Sequence, residues 1–229
     1  MLGYFNLITE NGWYGAAFKI AIVAVIPAHL IIRSFYPLLS NFFISSHEKL
    51  QKAWDYFTES MLFLTIPTVV GGYVLAPKII ETFYGSDFAP SAVALKLLML
   101  VIGISFLNYP YTIMLIAAEQ QKKNFLIMAG GALVNVFLNF ILIPKFGFSG
   151  AVVSTIISSA LVFFLTIILF HYIAPIPIVN KRLISIFFIS AIASTAMYYV
   201  ITLQFIYNLN VLFVCLAGAL VYGAILVVL

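Results

Sequence analysis

The feature that most constrains this chain is its division into seven long apolar stretches, separated by clusters of charges, prolines and glycines. Crossing a bilayer as a helix takes about 20 apolar residues. Because lipid cannot hydrogen-bond to exposed peptide groups, each stretch is expected to form a helix that satisfies its own backbone. The predicted spans cover residues 14–35, 61–76, 92–118, 125–143, 151–170, 183–203 and 211–229. The sequence therefore predicts an all-α, polytopic membrane helical bundle of about seven spans.

The composition excludes most soluble functions. Of the 229 residues, 64% are hydrophobic and 8% are charged, against roughly 45–50% and 25% in soluble domains. In so apolar a chain, the formal net charge of +4 indicates membrane topology and not nucleic-acid binding. The single cysteine, Cys215, allows no internal disulfide and no Cys-x-x-Cys metal site. The sequence also lacks a Ser/His/acid constellation and a phosphate-binding glycine loop, so it predicts no enzyme activity, no cofactor and no metal.

The basic residues predict the orientation of the chain. Three alternate loops carry most of them, namely Lys49 and Lys52, Lys122 and Lys123, and Lys181 and Arg182. The loops between these carry two lysines in all, so the positive-inside rule places the Lys122–Lys123 side in the cytoplasm. Residues 1–12 then lie on the outer side. We expect them to be the tail of a helix whose beginning is absent from this sequence, followed by a loop, and we expect residues 13–229 to form the bundle.

Three ionisable side chains fall within the first span: Lys19, His29 and Arg33. At about 100° per residue, Lys19 and Arg33 lie within about 40° of one face, and about 21 Å apart along the axis. His29 neighbours Arg33 on that face. Because ionisable groups inside a bilayer usually face the bundle interior, these residues predict a cationic stripe facing a cavity. In the alternative, Lys19 and Arg33 extend to the headgroups on the two sides of the membrane.

Four more polar residues within the spans complete the predicted cavity. Lys96 lies one turn into the third span, where it has the same alternative of extending to the headgroups, and Asn108 lies deeper. Asn135 and Asn139 share a face of the fourth span, where their alternative is to hold helices together. Glu59, at the start of the second span, is predicted to be solvated or ion-paired. The candidate substrate-binding residues are Lys19, His29, Arg33, Lys96, Asn108, Asn135 and Asn139.

Several motifs at helix ends resemble one family. Residues 143–151 (IPKFGFSGA) predict an outer turn in which Pro144 ends a helix, Gly147 permits the turn and Ser149 caps the next helix. With Asn135 and Asn139 before it, this turn resembles the N…N…L-I-P-x-x-G-x-x-G-A hairpin of the polysaccharide transporter family. That family comprises the lipid-linked oligosaccharide flippases of the multidrug/oligosaccharidyl-lipid/polysaccharide exporter superfamily. Similar motifs occur at residues 12–20 (GWYGAAFKI), 36–40 (YPLLS), 75–85 (LAPKIIETFYG) and 88–98.

The resemblance implies a fold of two pseudo-symmetric helical bundles, of which this chain would be most of the C-terminal one. It implies that the partners of this chain are an N-terminal bundle, which is missing from this sequence, and membrane lipids. Nucleic acid is not an expected partner. The implied activity is to move an isoprenoid-diphosphate-linked glycan across the cytoplasmic membrane by alternating access, for surface polysaccharide biosynthesis. Lys19 lies in the segment 12–20 that is similar to a helix start of the family, so the resemblance implies a place in the cavity for Lys19 first. The alternatives are a multidrug or peptidoglycan-precursor exporter of the same superfamily, or a membrane-embedded glycan polymerase or acyltransferase.

Overall fold

The computed structural model describes residues 1–174, 176–177, 181–207 and 210–228. The helices are α1 (Ile8–Ser45), α2 (His47–Tyr84), α3 (Ser91–Ala117), α4 (Gln121–Ile173), α5 (Lys181–Thr202), α6 (Gln204–Tyr207) and α7 (Val211–Val228). Short 3-10 turns precede α1 at Leu2–Phe5 and follow α2 at Ser86–Phe88. No strand occurs in the described residues, and the predicted all-α class is confirmed.

The helices extend beyond several of the predicted spans. α1 to α5 are each long and apolar enough to cross a membrane, and α7 is a shorter apolar helix. The predicted spans are shorter because hydropathy identifies only the part of a helix that contacts lipid. The helices α1 and α2 continue beyond that part, through polar residues at their ends. Ser46 separates these two helices, and its hydroxyl accepts a hydrogen bond from the Lys49 N–H at 3.4 Å. Because α1 begins at Ile8, the predicted boundary between residues 12 and 13 falls inside a helix.

α4 is a helical hairpin. Gly147 has φ 58° and ψ −137°, which divides the helix into α4a before it and α4b after it. Asn135 hydrogen-bonds to Ser158, and Gly131 packs against Val162. In both pairs, the two residues lie at equal distances in sequence before and after a point next to Gly147. This symmetry shows that α4a and α4b run antiparallel. The fourth and fifth predicted spans are thus two helices joined by a turn at the predicted glycine.

α3 is the central helix of the fold. It packs against α1, α2 and α4. The main core lies among these helices, and its fully buried members include Ala17, Phe57, Leu95, Phe106 and Leu115. Polar side chains of α3 therefore lie close to three other helices. The direction in which a side chain points decides which of these helices it contacts.

α5 and α7 form a pair that is attached to the rest of the protein through α2. The Arg182 side chain binds the Glu59 carboxylate through Nε–Oε1 at 2.5 Å and Nη2–Oε2 at 2.9 Å. The Tyr222 hydroxyl donates to the backbone carbonyl of Phe63 at 2.9 Å. Glu59 is 5% exposed, and within the described residues it is the one buried side chain of an acidic or basic residue. Of the two states predicted for Glu59, solvated or ion-paired, the structure shows the ion pair.

Candidate substrate-binding site

One side of α1 carries the predicted cationic stripe. Lys19, His29 and Arg33 are all exposed on it. The apolar side chains between them are exposed as well, namely Ile22, Ile26 and Leu30. The other side is buried and rich in alanine, with Ala17, Ala21 and Ala28 in the core, where their small size lets α1 pack closely on α3. The cationic face of α1, defined by Lys19, His29 and Arg33, is therefore a surface that the described helices leave uncovered.

Two of the three predicted asparagines, Asn108 and Asn135, line a different surface, a cavity of about 510 Å³ between α3 and the two halves of α4. We call it the amide cavity. Its polar lining consists of Ser105, Asn108, Tyr109, Asn135, Thr155, Ser158 and Ser159. None of these side chains carries a charge at neutral pH. The cavity thus offers hydrogen-bond donors and acceptors without an ionic group.

Hydrogen bonds across the hairpin hold the asparagines of α4a in place. Asn135 Nδ2 donates to Ser158 Oγ at 3.1 Å and to Thr155 Oγ1 at 3.4 Å. Asn139 Nδ2 donates to Asn135 Oδ1 at 2.9 Å. The interhelical role that the sequence left open is therefore present at Asn135, and the same side chain also lines the amide cavity.

Two amide oxygens near this cavity have no hydrogen-bond partner within the described structure. They are Asn108 Oδ1, in the cavity wall, and Asn139 Oδ1, one helical turn beyond Asn135. A buried carbonyl without a donor costs about 1–3 kcal/mol relative to one that is bonded. A bound molecule with hydroxyl groups would supply such donors.

The cationic face and the amide cavity adjoin one another. The ring of His29 lies against the ring of Tyr109, with centroids 5.9 Å apart, and Tyr109 lines the cavity. Closer to the start of α1, the Tyr14 hydroxyl lies near the side chain of Thr155. α1 therefore borders the amide cavity at two points, so both surfaces can contact one ligand.

The turn of the hairpin is fixed by a carboxylate from α1. Glu10 Oε2 accepts a hydrogen bond from the Phe148 N–H at 2.6 Å, at the first peptide group of α4b. The ring of Trp13 packs edge-on against Phe148, with centroids 6.2 Å apart. The sequence predicted Ser149 as the cap of this helix, whereas the structure gives that role to Glu10 from a distant part of the chain.

Lys96 is not placed with the other candidates. Its amine lies 5.5 Å from the ring centre of Tyr73 on α2. At about 100° per residue, Lys96 lies about 120° around α3 from Asn108. The sequence places Lys96 at a suitable depth in the third span, but it does not show toward which neighbour the side chain points. Lys96 thus lies apart from both the cationic face and the amide cavity.

The structure adds site residues that the sequence analysis missed. Tyr109, Thr155 and Ser158 line the amide cavity, and Tyr14 lies near Thr155. Thr155 and Ser158 had a signal, since they lie three apart at the hairpin positions opposite Asn135. Among the described residues, no group of three or more His, Cys, Asp or Glu side chains is placed to hold a metal ion.

An apolar cavity of about 370 Å³ lies on another side of α1. Ile20 and Ala24 of α1 line it together with residues of α2, α3 and the α5–α7 pair. Ile20 follows Lys19 directly in the sequence, so α1 presents its cations to one side and this apolar wall to another. The two environments that an amphipathic ligand needs are thus carried by a single helix.

Two similar proteins are named as probable flippases. The chain is 27% identical over 167 residues to the probable flippase AglR of Haloferax volcanii, and 27% identical over 168 residues to the probable low-salt glycan biosynthesis flippase Agl15 of the same organism. Each match covers 70% of this chain and 34% of the relative, so the matched region is about a third of their length. No family model matches the chain.

A solved structure shares the fold. The lipid II flippase MurJ in an inward closed conformation matches with a TM-score of 0.77 and 21% sequence identity, over 96% of this chain and 47% of that one. The prediction that this fold resembles one half of a two-bundle exporter agrees with that coverage. The chain is therefore similar over 70% of its length to two probable flippases, one of them named for glycan biosynthesis, and is folded like about half of a lipid II flippase, which confirms the family resemblance drawn from its sequence.

Proposed function

We propose that this chain forms one bundle of a flippase that moves a lipid-linked oligosaccharide across the cytoplasmic membrane for surface polysaccharide biosynthesis. The observation that carries the proposal is the contact between His29 and Tyr109, which joins the cationic face of α1 to the amide cavity. A diphosphate-linked glycan carries both an anion and many hydroxyl groups, and these adjoining surfaces match the two.

The cations of α1 are suited to the diphosphate. Charge-assisted hydrogen bonds from Lys and Arg to phosphate are about twice as strong as neutral ones. Lys19 and Arg33 are spaced about 21 Å apart along α1, so they would meet the diphosphate in turn as it crosses. Their uncovered face would be closed by a second bundle, which we propose as the missing partner, because ionisable side chains within a membrane usually face such an interior.

The uncharged surfaces fit the rest of the substrate. Hydroxyl groups of a sugar both donate and accept, so they can bond to the unpartnered oxygen of Asn108 and to the hydroxyls around Asn135. The isoprenoid requires an apolar environment, which the cavity beside Ile20 and Ala24 provides. Alternating access would then expose this site to one side of the membrane at a time.

The test is a translocation assay in vesicles that contain the intact protein. A fluorescent, isoprenoid-diphosphate-linked oligosaccharide is placed in one leaflet, and its appearance in the other is followed with a membrane-impermeant quencher. Loss of even one charge-assisted contact is expected to slow transport of the Lys19→Gln/Arg33→Gln variant about tenfold or more. The matched control is Lys96→Gln, an intramembrane lysine outside the site, which should transport at the parent rate. Unchanged transport by the double variant would contradict the proposal.

A second candidate substrate is a lipid-linked peptidoglycan precursor, because the solved structure with this fold is named for lipid II. The same vesicles distinguish the two substrates when each is supplied separately. Transport of the peptidoglycan precursor alone would replace the oligosaccharide as the substrate. It would leave the assignment of Lys19 and Arg33 intact if their double variant is slow with that substrate.

A further inference from the structure

A second apolar cavity, of about 270 Å³, lies between α5 and the central helices. Its walls are Met61 and Leu62 of α2, Leu107 and Pro110 of α3, and Phe163 of α4b, and α5 closes it with Leu183, Ile184 and Phe187. α5 packs on α2 and α7 but leaves a gap toward α3 and α4b. This cavity is separate from the substrate site, since none of the residues that line it belongs to the cationic face or to the amide cavity.

The cavity opens at the membrane-facing surface of the bundle. Two of its lining side chains, Ile184 and Phe187, are 50% and 51% exposed. Both lie in the part of α5 that is long and apolar enough to span a bilayer. An empty groove at this place would forfeit dispersion contacts along its whole lining. The component of the bilayer that fits an apolar groove of this kind is an acyl chain.

A cation stands at the mouth of the cavity. Arg182 directly precedes Leu183, and 57% of its side chain is exposed although it is paired with Glu59. One of the five N–H donors of the guanidinium, on Nη2, makes a hydrogen bond to Oε2 of Glu59, so donors remain for another acceptor. Arg182 lies at the start of a spanning helix, which is the depth of the lipid phosphates. Charge and position therefore both match a phospholipid headgroup.

We propose that this cavity binds one membrane phospholipid, with an acyl chain between α5 and α3 and the phosphate on Arg182. The lipid is a resident of the bilayer and is not the transported substrate, so the inference does not depend on the proposed function. It also explains how α5 can stand away from α3 and α4b without leaving a void. The bound chain fills the space that side chains do not.

Trp54 provides a direct probe of this site. It is fully buried, and its ring lies 5.3 Å from the ring of Tyr111, which lines the cavity. The chain has two tryptophans, so Trp13→Phe leaves Trp54 as the sole emitter. In vesicles of phospholipid brominated on the acyl chains, bound lipid is expected to quench Trp54 although annular lipid does not touch it. Unquenched Trp54 in the folded Trp13→Phe protein would overturn the proposal without any further variant.

The depth of the cavity sharpens the test. From Arg182 to Phe187, α5 rises by about 7.5 Å, which is about half of one leaflet of a hydrocarbon core of about 30 Å. Bromine on the upper part of the acyl chain should therefore quench Trp54 more than bromine at the chain end. Equal quenching from both positions would show access by another route and would also overturn the proposal.

A filling variant and a matched control test the position of the chain. Leu107→Phe adds volume to the cavity wall and is expected to reduce the quenching by about half or more. Leu100→Phe makes the same change seven residues earlier on α3, outside the lining, and is expected to have no effect. Equal quenching in the two variants would place the lipid elsewhere.

The headgroup is tested by titration in detergent micelles. The Glu59→Gln/Arg182→Gln variant removes both charges together, so no carboxylate is left buried without its partner. We expect it to need about tenfold more brominated phospholipid for half-maximal quenching. Brominated diacylglycerol, which has no phosphate, should bind the parent protein as weakly as phospholipid binds this variant. Identical titrations of parent and variant would overturn the assignment of the phosphate to Arg182.

Discussion

Gly147→Ala is the substitution for which the structure gives the clearest expectation. The residue has φ 58° and ψ −137°, a backbone conformation that an L side chain rarely adopts. A Cβ at this position would also collide with the carboxylate of Glu10. That carboxylate accepts a hydrogen bond from the Phe148 N–H at 2.6 Å, so it cannot move away without breaking the cap of α4b. Alanine therefore strains the turn and removes the contact between α1 and the hairpin.

The cost of this substitution has two parts. Holding a residue other than glycine in such a conformation costs about 1–3 kcal/mol. Loss of a hydrogen bond to a charged group costs about 1.5–3 kcal/mol. Together they lower the free energy of unfolding by about 2.5–6 kcal/mol, which for a chain of this length lowers Tm by about 5–24 °C.

The assay is thermal unfolding in detergent, followed by circular dichroism and by the fluorescence of Trp13, which packs on Phe148. The control is Gly130→Ala in the same helix, where a Cβ meets nothing within 4 Å. Because alanine favours a helix over glycine by about 1 kcal/mol, the control should be as stable as the parent protein or slightly more stable. Glu10→Ala added to Gly147→Ala should cost less than the sum of the single changes, since the bond is lost only once. Equal Tm values for Gly147→Ala and Gly130→Ala would refute this reasoning.

Three further predictions use the same unfolding assay. Gly131→Ala should destabilise the hairpin by about 1–3 kcal/mol, because its Cβ would collide with the side chain of Val162; Val162→Ala in addition should restore stability, and no rescue would show that the collision is not the cause. Arg182→Met should cost about 1–3 kcal/mol by leaving the buried carboxylate of Glu59 without a partner, and Glu59→Gln added to it should recover most of that loss; strictly additive effects would argue against the pairing. Tyr222→Phe should cost about 0.5–1.5 kcal/mol, because its hydroxyl bonds to a backbone carbonyl of α2; a parent-like Tm would mean that water replaces this bond.

Much of the fold was predictable from the sequence. Every predicted span corresponds to a helix or to one half of the α4 hairpin. The turn at Gly147 was also predictable, because a proline and two glycines between apolar runs rarely permit a continuous helix. The cationic face was predictable from helical periodicity within α1, since Lys19 and Arg33 belong to the same regular helix.

Contacts between helices were beyond the reach of the sequence. Arg182 and Glu59 are 123 positions apart, and Glu10 and Phe148 are 138 apart. In each pair, the sequence around one residue does not show which distant residue it will contact. Lys96 is the opposite case. Its residue type and its depth in the helix fit the site, but its side chain points toward Tyr73 instead. Two of the seven candidates, Asn108 and Asn135, line one cavity only because α4 packs beside α3.

The sequence by itself determined that this chain is a set of apolar helices, where the turn of the hairpin falls, and which face of α1 is cationic. These properties are local, because each segment in lipid must satisfy its own backbone and display its own periodicity. Only the tertiary structure decided that His29 meets Tyr109, that Asn108 and Asn135 share a cavity, and that α5 stands away from α3. The rotation and neighbours of a helix are set by packing against the other helices, and the hydropathy of one segment carries no information about the partners of another.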